Sequence, residues 1–460
     1  MFYPGSNRDG SEGRLLTVVL FAAALVLAGF PACGRADSIR LLSDDREAFQ
    51  ARVDLIQQAE SQVDAAYFEI SDDNMALAFL ALLRDAARRG VRVRLLVDDM
   101  FNDIPPCVQD YLVQHGVEIR EFHPVKLRQP LSINRRMHDK LLIVDACHLI
   151  IGSRNMDHRH FGLGCVNYVD RDAYVRGHAA HQAHSYFQCL WSSAEEGNVA
   201  KTRTREKCRQ RNCNPMRSLS SRLEACRISP GAALDQALLQ FAEGGFIHLH
   251  FAQGWLEEQN GQRCVDFLND CVGAKREPCA ITSEIHELFA KAQKSIIIES
   301  PYFVVSRELN RTLERAQARG VHVVILTNSL ASTDQVIAYA GYSYQKRRLL
   351  NQGAELWEYV GPNHFHAKTA LIDCCIAIIG SHNFDARSEH LDTQSAVVVR
   401  DAGVAEDLLD SMAENFAHAR PSCSGCRSVG AMKRNPGADA SQIREFRRAR
   451  LVAPLIMRSL

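Results

Sequence analysis

Apolar and polar positions alternate along the chain in blocks, and the blocks come round twice. Residues 46–60 have helical spacing and lead into Val63–Ile70, an apolar-rich run of strand length. A helix over Met75–Arg88 is stopped by Gly90, and Val91–Val97 reads as a second strand. A short helix, Val108–Gln114, ends at Gly116 before the strand Val117–Phe122. The second half repeats the order: a helix at 283–293, the strand Ser295–Ser300 followed by Pro301-Tyr302-Phe303, a helix at 307–318 and the strand Val321–Leu326. A longer helix then ends near Gln352-Gly353, before Ala354–Tyr359. Strands alternating with helices predict an α/β fold. We expect two similar domains related by a pseudo-two-fold axis, each a mixed, mostly parallel sheet flanked by helices.

Each half then reaches the same motif. Met137-His138-Asp139-Lys140 runs through Leu141–Val144 to Asp145, and Gly152-Ser153-Arg154-Asn155 follows. In the second half, 228 positions later, come His366-Ala367-Lys368, Asp373 and Gly380-Ser381-His382-Asn383. Both copies read H-x-K-x4-D-x6-G-S-x-N without insertion or deletion. The halves differ just upstream: Gly116 to His138 spans 22 positions and Gly353 to His366 spans 13, so the first carries nine extra residues around Leu127–Arg136. A longer loop at a site mouth suits substrate selection, and equally suits a tolerated surface insertion.

In an extended chain His138 and Lys140 project from one face while Leu141 and Ile143 point into the core. Asp145 ends the strand. Gly152 is expected to let backbone approach a ligand closely, with Ser153 and Asn155 supplying neutral hydrogen-bonding groups. His366, Lys368, Asp373, Gly380, Ser381 and Asn383 repeat the set. A single H-x-K is usually two exposed side chains and a single G-S-x-N is usually a turn; two complete copies at one spacing are not chance. One copy is a half-built phosphate site. Two facing copies supply what metal-free phosphodiester chemistry requires. Two Lys and two Asn hold the non-bridging oxygens. One His attacks phosphorus, and the other protonates the leaving oxygen and then activates the acceptor.

The 460 residues and zero formal net charge give no bulk preference for nucleic acid or membrane. The division read from the chain is 1–36 signal or anchor, 37–197 first domain, 198–279 basic linker or insert, 280–420 second domain and 421–460 tail. Arg14 precedes a 16-residue apolar run, Leu15–Phe30, and Pro31–Ala36 follows. This reads as a cleaved secretory signal, an uncleaved anchor or a lipoprotein site at Cys33; all three send the chain out of the cytoplasm, to the cell envelope. Fifteen cysteines become an even fourteen without Cys33, compatible with an oxidising compartment, and Cys423-x-x-Cys426 alone cannot complete a zinc site. Residues 199–227 carry nine Lys/Arg, a surface for anionic lipid or nucleic acid or a solvated linker. The stretch 198–279 has no evident counterpart in the repeat. Arg444, Arg447, Arg448 and Arg450 mixed with Phe446, Leu451 and Leu455 suggest an interfacial tail, with Pro454 interrupting any helix.

The doubled motif resembles the signature of the phospholipase D superfamily, over about 45–420. That resemblance implies two similar phospholipase D-like domains packed face to face, a phosphohistidine intermediate and no metal or other cofactor. It implies catalytic roles for His138, Lys140, Asp145, His366, Lys368 and Asp373, with Ser153, Asn155, Ser381 and Asn383 binding substrate. Gly152–Asp157 with Arg159 and Phe161, Glu299–Phe303, Gly353–Tyr359 and Gly380–Asp385 with Arg387 are similar to bacterial cardiolipin synthases and related phosphatidyltransferases. Family members often place a carboxylate downstream of each Asn to orient a catalytic His. Asp170 and Asp172 fill that place in the first half, whereas the second has Gln394. A carboxylate-backed imidazole is the stronger nucleophile, so His138 is expected to be the nucleophile and His366 the acid; a phosphohistidine on His366 would reverse them. The neighbouring His158, His160, His364 and His390 read as structural or surface residues. The expected substrate is a phospholipid at a membrane surface. A secreted nuclease with the same site, and an inactive lipid-binding scaffold, are the other readings.

Overall fold

The computed structural model describes residues 37–122, 135–196, 228–249, 263–270, 280–422 and 437–457. The N-terminal apolar run, most of the Leu127–Arg136 insertion, the basic run 199–227, Cys423 and Cys426 lie outside the described residues. The first half contributes strands β1 (Ser38–Leu42), β2 (Gln62–Tyr67), β3 (Arg92–Asp98), β4 (Val117–Phe122), β5 (Lys140–Val144), β6 (His148–Gly152), β7 (Tyr168–Val169), β8 (Asp172–Arg176) and β9 (Glu195–Glu196). The second contributes β10 (Val265–Asn269), β11 (Ser295–Glu299), β12 (His322–Asn328), β13 (Glu355–Tyr359), β14 (His364–Phe365), β15 (Thr369–Ile372), β16 (Ile376–Gly380), β17 (Ser395–Arg400) and β18 (Ala419–Pro421). Sixteen of them form two eight-stranded sheets, β1-β8-β6-β5-β2-β3-β4-β9 and β10-β17-β16-β15-β11-β12-β13-β18, and β14 and β7 pair separately. The orders match strand for strand, as a duplicated unit requires.

Both sheets are mixed, but parallel pairing is the minority. Within these two sheets only β2–β3–β4 and β11–β12–β13 pair in parallel. The motif itself makes antiparallel hairpins, β5–β6 and β15–β16, because a connection of three residues can join only antiparallel neighbours. Their turns hold Asp145 and Ala146 at φ 50 and 55, and Asp373 and Cys374 at φ 52 and 56, the doubly left-handed turn that suits strand twist.

Strand sequences read as nearly continuous apolar runs because both faces are covered. Leu142 and Val144 face an outer core with the helices α1 (Asp45–Gln58) and α2 (Asn74–Arg88), and Leu141 and Ile143 face a central one. That central core also takes Leu371, Ile379, Val397 and Val399 from the second sheet, with side chains of α4 (His178–Ser193) and α10 (Ala402–Ala417). The two halves therefore share one dry interior.

One segment of 198–279, β10, does have a counterpart in the repeat. β10 lies against β17 as β1 lies against β8, and the helix α5 (Pro230–Glu243) packs on α2 of the first half. Helices α7 (Arg307–Ala318) and α8 (Val336–Gln352) cover the second sheet. The tail folds back as α11 (Ala440–Ile456), packed on α8. Pro454 sits inside this helix rather than breaking it. A proline cannot donate to the carbonyl four residues back, and Tyr344 on α8 takes that place: its hydroxyl donates to Arg450 O at 2.5 Å. No helix among the described residues is long and apolar enough to cross a membrane.

Candidate active site

The strands leading into the two motifs are tied to the opposite halves. His138 N donates to Thr393 O at 3.0 Å and Thr393 N to Arg136 O at 2.9 Å. His366 N donates to Val169 O at 2.9 Å, beside the short β7–β14 pairing. These crossed ladders bring both H-x-K segments to one buried centre. His138, Lys140, His366 and Lys368 are at most 9% exposed.

The imidazoles take their support crosswise too. His366 Nδ1 donates to Asp170 Oδ1 at 2.7 Å. His138 Nδ1 faces Gln394 Oε1 at 3.1 Å and Ser381 O at 3.2 Å. Asp170 and Gln394 are register equivalents, each two positions ahead of the residue that pairs with the motif glycine. The expectation that Asp170 or Asp172 supports His138 is therefore corrected: each half supports the histidine of the other. Asp172 is not at the centre, being paired with Arg52 at 2.8 Å and accepting Ser153 N at 2.9 Å.

Ser153 and Ser381, expected at the substrate, sit one step behind it. Ser153 Oγ donates to Asp170 Oδ1 and Ser381 Oγ to Gln394 Oε1, both at 2.6 Å. They fix the groups that fix the imidazoles. Asn155 and Asn383 differ: both are buried and each has an unpartnered side-chain oxygen. A buried amide with unmet hydrogen bonding is expensive alone and suited to a polar ligand.

Asp145 and Asp373 are not brought to the site. Seven residues of extended chain put Asp145 about 23 Å from His138. Its carboxylate accepts the backbone N–H groups of Glu60, Ser61 and Gln62 at 2.8–3.0 Å. Asp373 does the same for Gln293, Lys294 and Ser295 at 2.7–2.9 Å. The signature aspartate clamps the hairpin turn to the start of the central strand. Gly152 and Gly380 likewise serve packing rather than ligand approach. A Cβ on Gly152 would run into Asp172 and Arg171 O, and one on Gly380 into Ser395 O and Ala396.

Sequence reasoning set His160 aside, yet it is 1% exposed and its Nδ1 donates to Asp170 Oδ2 at 2.6 Å. One carboxylate thus serves two imidazoles, whose ring centroids lie 5.2 Å apart, both against Tyr168. No spacing rule marks His160, because its role arises only from the partner exchange. His160, Asp170 and His366 are also close enough to ligate a metal. Imidazole-to-carboxylate hydrogen bonds already account for that geometry, and an ion there would take His366 out of the chemistry.

The electrostatics are those of a site built for an anion. Burial, then Lys368, pushes His366 down to about 3. Burial, then Lys140 and Lys368, holds His138 well below the usual imidazole range. Burial brings Lys368 down to about 7, although Asp170 and Asp334 oppose the shift. Lys140 is lowered by burial and by Lys368. Asp170 stays charged: burial works to raise it, and His160 and His366 hold it well below the carboxylate range. Lys368 Nζ lies 2.9 Å from His366 Nε2 and 2.7 Å from His366 O, and Lys140 Nζ donates to His138 O at 2.6 Å. Asp170 alone does not offset the burial of these groups, so an entering phosphodiester favours the charged forms of Lys140, Lys368 and His366, while His138 stays neutral for attack.

This duplicated fold and its single two-histidine centre define a class: the chain belongs to the phospholipase D-like family, and it is an enzyme of that superfamily. The matching family is described as "Cardiolipin synthase, PLD-like domain", over residues 53–191 and 285–419. Among its relatives, cardiolipin synthase C of Escherichia coli is 28% identical over 401 residues, covering 80% of this chain and 82% of that one. An uncharacterised Helicobacter pylori protein is 27% identical over 407 residues, covering 82% of this chain and 78% of that one. The fold matches the crystal structure of phosphatidylserine synthase from Haemophilus influenzae with a TM-score of 0.66 at 14% identity, over 92% of this chain and 95% of that one.

Proposed function

We propose that this protein transfers a phosphatidyl group from one phospholipid to the alcohol of another, as a cardiolipin synthase does, at an envelope membrane after export. The supporting observation is the crossed pair: His138 on Gln394 and Ser381, His366 on Asp170. Carbonyl oxygens only accept, so His138 carries its proton on Nδ1 and presents the Nε2 lone pair. The charged Asp170 raises the proton affinity of His366 relative to His138, which suits the acid. The nucleophile expected from the sequence is thus retained on a different ground.

His138 Nε2 attacks phosphorus as the bond to the leaving alcohol breaks, and His366 gives that oxygen its proton. Lys140, Lys368, Asn155 and Asn383 hold the non-bridging oxygens. His366 then takes the proton of the incoming hydroxyl. The new P–O bond forms, the P–N bond to His138 breaks, and the site is restored. Water in place of the alcohol gives hydrolysis.

Incubating the purified protein with phosphatidylglycerol, and separately with single-stranded DNA, tests this by mass spectrometry of the products. Cardiolipin and glycerol are expected. Cleaved DNA with untouched lipid would instead establish a nuclease.

A further inference from the structure

Far along the second half, α7 and α8 enclose an open groove of about 790 Å³. Arg307 and Arg311 line it from α7, and Arg347 and Arg348 from α8, with Tyr344 at one side. All four arginines are exposed, and none has a carboxylate partner among the described residues. Glu314 is the one acidic residue on the lining. Four unpaired guanidinium groups around a concave surface are matched by phosphate anions.

The neighbouring helix adds a second observation. α11 buries Ile443 and Ala453 and packs Phe446, Ala449 and Met457 against the second half's core. Its outward stripe is Arg444, Arg448, Leu451 and Leu455, spaced four, three and four residues apart along one face. Leu451 and Leu455 are 79% and 84% exposed, well above every other exposed large apolar residue described. Arg450 lies over both Tyr344 and Phe446, at 5.3 and 5.7 Å from their centroids. With the Tyr344 hydroxyl on Arg450 O, this fixes the apolar end of α11 beside the arginine groove.

We infer that the α7–α8 groove and the outer stripe of α11 form one docking face for an anionic phospholipid bilayer. The arginines meet headgroup phosphates while Leu451, Val452 and Leu455 enter the interface between headgroups and acyl chains. Charge complementarity combined with exposed leucines favours a bilayer over a nucleic acid, which would match the arginines and leave the leucines in water. The inference rests on the phosphatidyl-transfer reading and assigns it a membrane-facing side.

The experiment uses the full chain, with His366→Ala introduced to stop turnover during binding. Partitioning onto vesicles of equal phosphatidylglycerol and phosphatidylcholine is compared with partitioning onto pure phosphatidylcholine. Arg347→Ala with Arg348→Ala is expected to weaken binding to the anionic vesicles about thirtyfold, at about fivefold per basic residue near such a surface. Leu451→Ser with Leu455→Ser is expected to weaken binding to both vesicle types. Unchanged thermal midpoints show that the variants are folded. With His366 restored, turnover of monomeric short-chain phosphatidylglycerol is expected to be the same in both variants as in the parent. Vesicle binding untouched by either pair of changes would overturn the docking face. So would loss of single-stranded DNA binding with vesicle binding intact. Failure of the parent to turn over the short-chain lipid would count against the catalytic reading alone.

Discussion

Asp170→Asn tests the crossed arrangement most finely, because one carboxylate holds two imidazoles through opposite oxygens. The native group accepts from His366 at 2.7 Å and from His160 at 2.6 Å. An asparagine offers one accepting oxygen. Its NH2 must face the other imidazole, donor against donor, so either His366 or His160 has to change tautomer. The charge that stabilises an imidazolium is lost as well. A hydrogen bond to a charged group is worth about 1.5–3 kcal/mol, which at about 1.4 kcal/mol per factor of ten gives a kcat lower by roughly ten- to 150-fold. The proton affinity of His366 falls by the same free energy. As His366 must be protonated to act as the acid, the alkaline limb of kcat moves down by about one to two pH units. The assay is cardiolipin formation from phosphatidylglycerol in mixed micelles between pH 5 and 9. An Asp170→Asn enzyme within twofold of the parent throughout, or one whose alkaline limb moves upward, would refute the reasoning.

Gln394→Glu places a carboxylate on His138 and makes it more basic; since His138 must be neutral to attack, the acid limb of kcat/KM should rise by about one unit, with activity near pH 8 within about threefold of the parent. Asp145→Asn and Asp373→Asn should each cost about 1 kcal/mol through weakened acceptance of the backbone N–H groups, lowering the thermal midpoint by about 1 °C in a chain of this size while leaving kcat of the folded enzyme unchanged. Asparagine tolerates the left-handed turn, so a large loss of kcat would mean that these aspartates act in the chemistry. Because Lys368 is held down to about 7, it is mostly neutral at pH 8 and recharges beside an anion. Calorimetric binding of tungstate at pH 8 should therefore show proton uptake, read as heats that vary with buffer ionisation enthalpy, and buffer-independent heats would contradict the account.

Much of the centre was legible because its residues lie close together along the chain. His138, Lys140 and Asn155 fall within eighteen positions and recur at the same offsets, so duplication alone announced a two-part site. The supports of the imidazoles were not legible. Asp170 is nearer in sequence to His138 than to His366, and only the ladders between His138 and Thr393 and between His366 and Val169 reverse that order. Asp145 and Asp373 mislead for a related reason: a fixed position in a motif marks any requirement, and theirs is to hold a turn. β10 escaped notice because a five-residue edge strand needs little apolar pattern and lies far in sequence from its partner β17. The helix across Pro454 is supported by packing on α8 and by a tyrosine hydroxyl more than a hundred residues away.

The most direct measurement is the location of the covalent phosphatidyl group. The enzyme is quenched during turnover of phosphatidylglycerol and its peptides are mapped by mass spectrometry. An adduct on His138 is predicted in the parent enzyme, with slowed formation in His366→Ala, which lacks the acid for the leaving oxygen, and none in His138→Ala. An adduct on His366 would reverse the two roles, and turnover surviving in both single variants without any adduct would contradict the shared two-histidine centre itself.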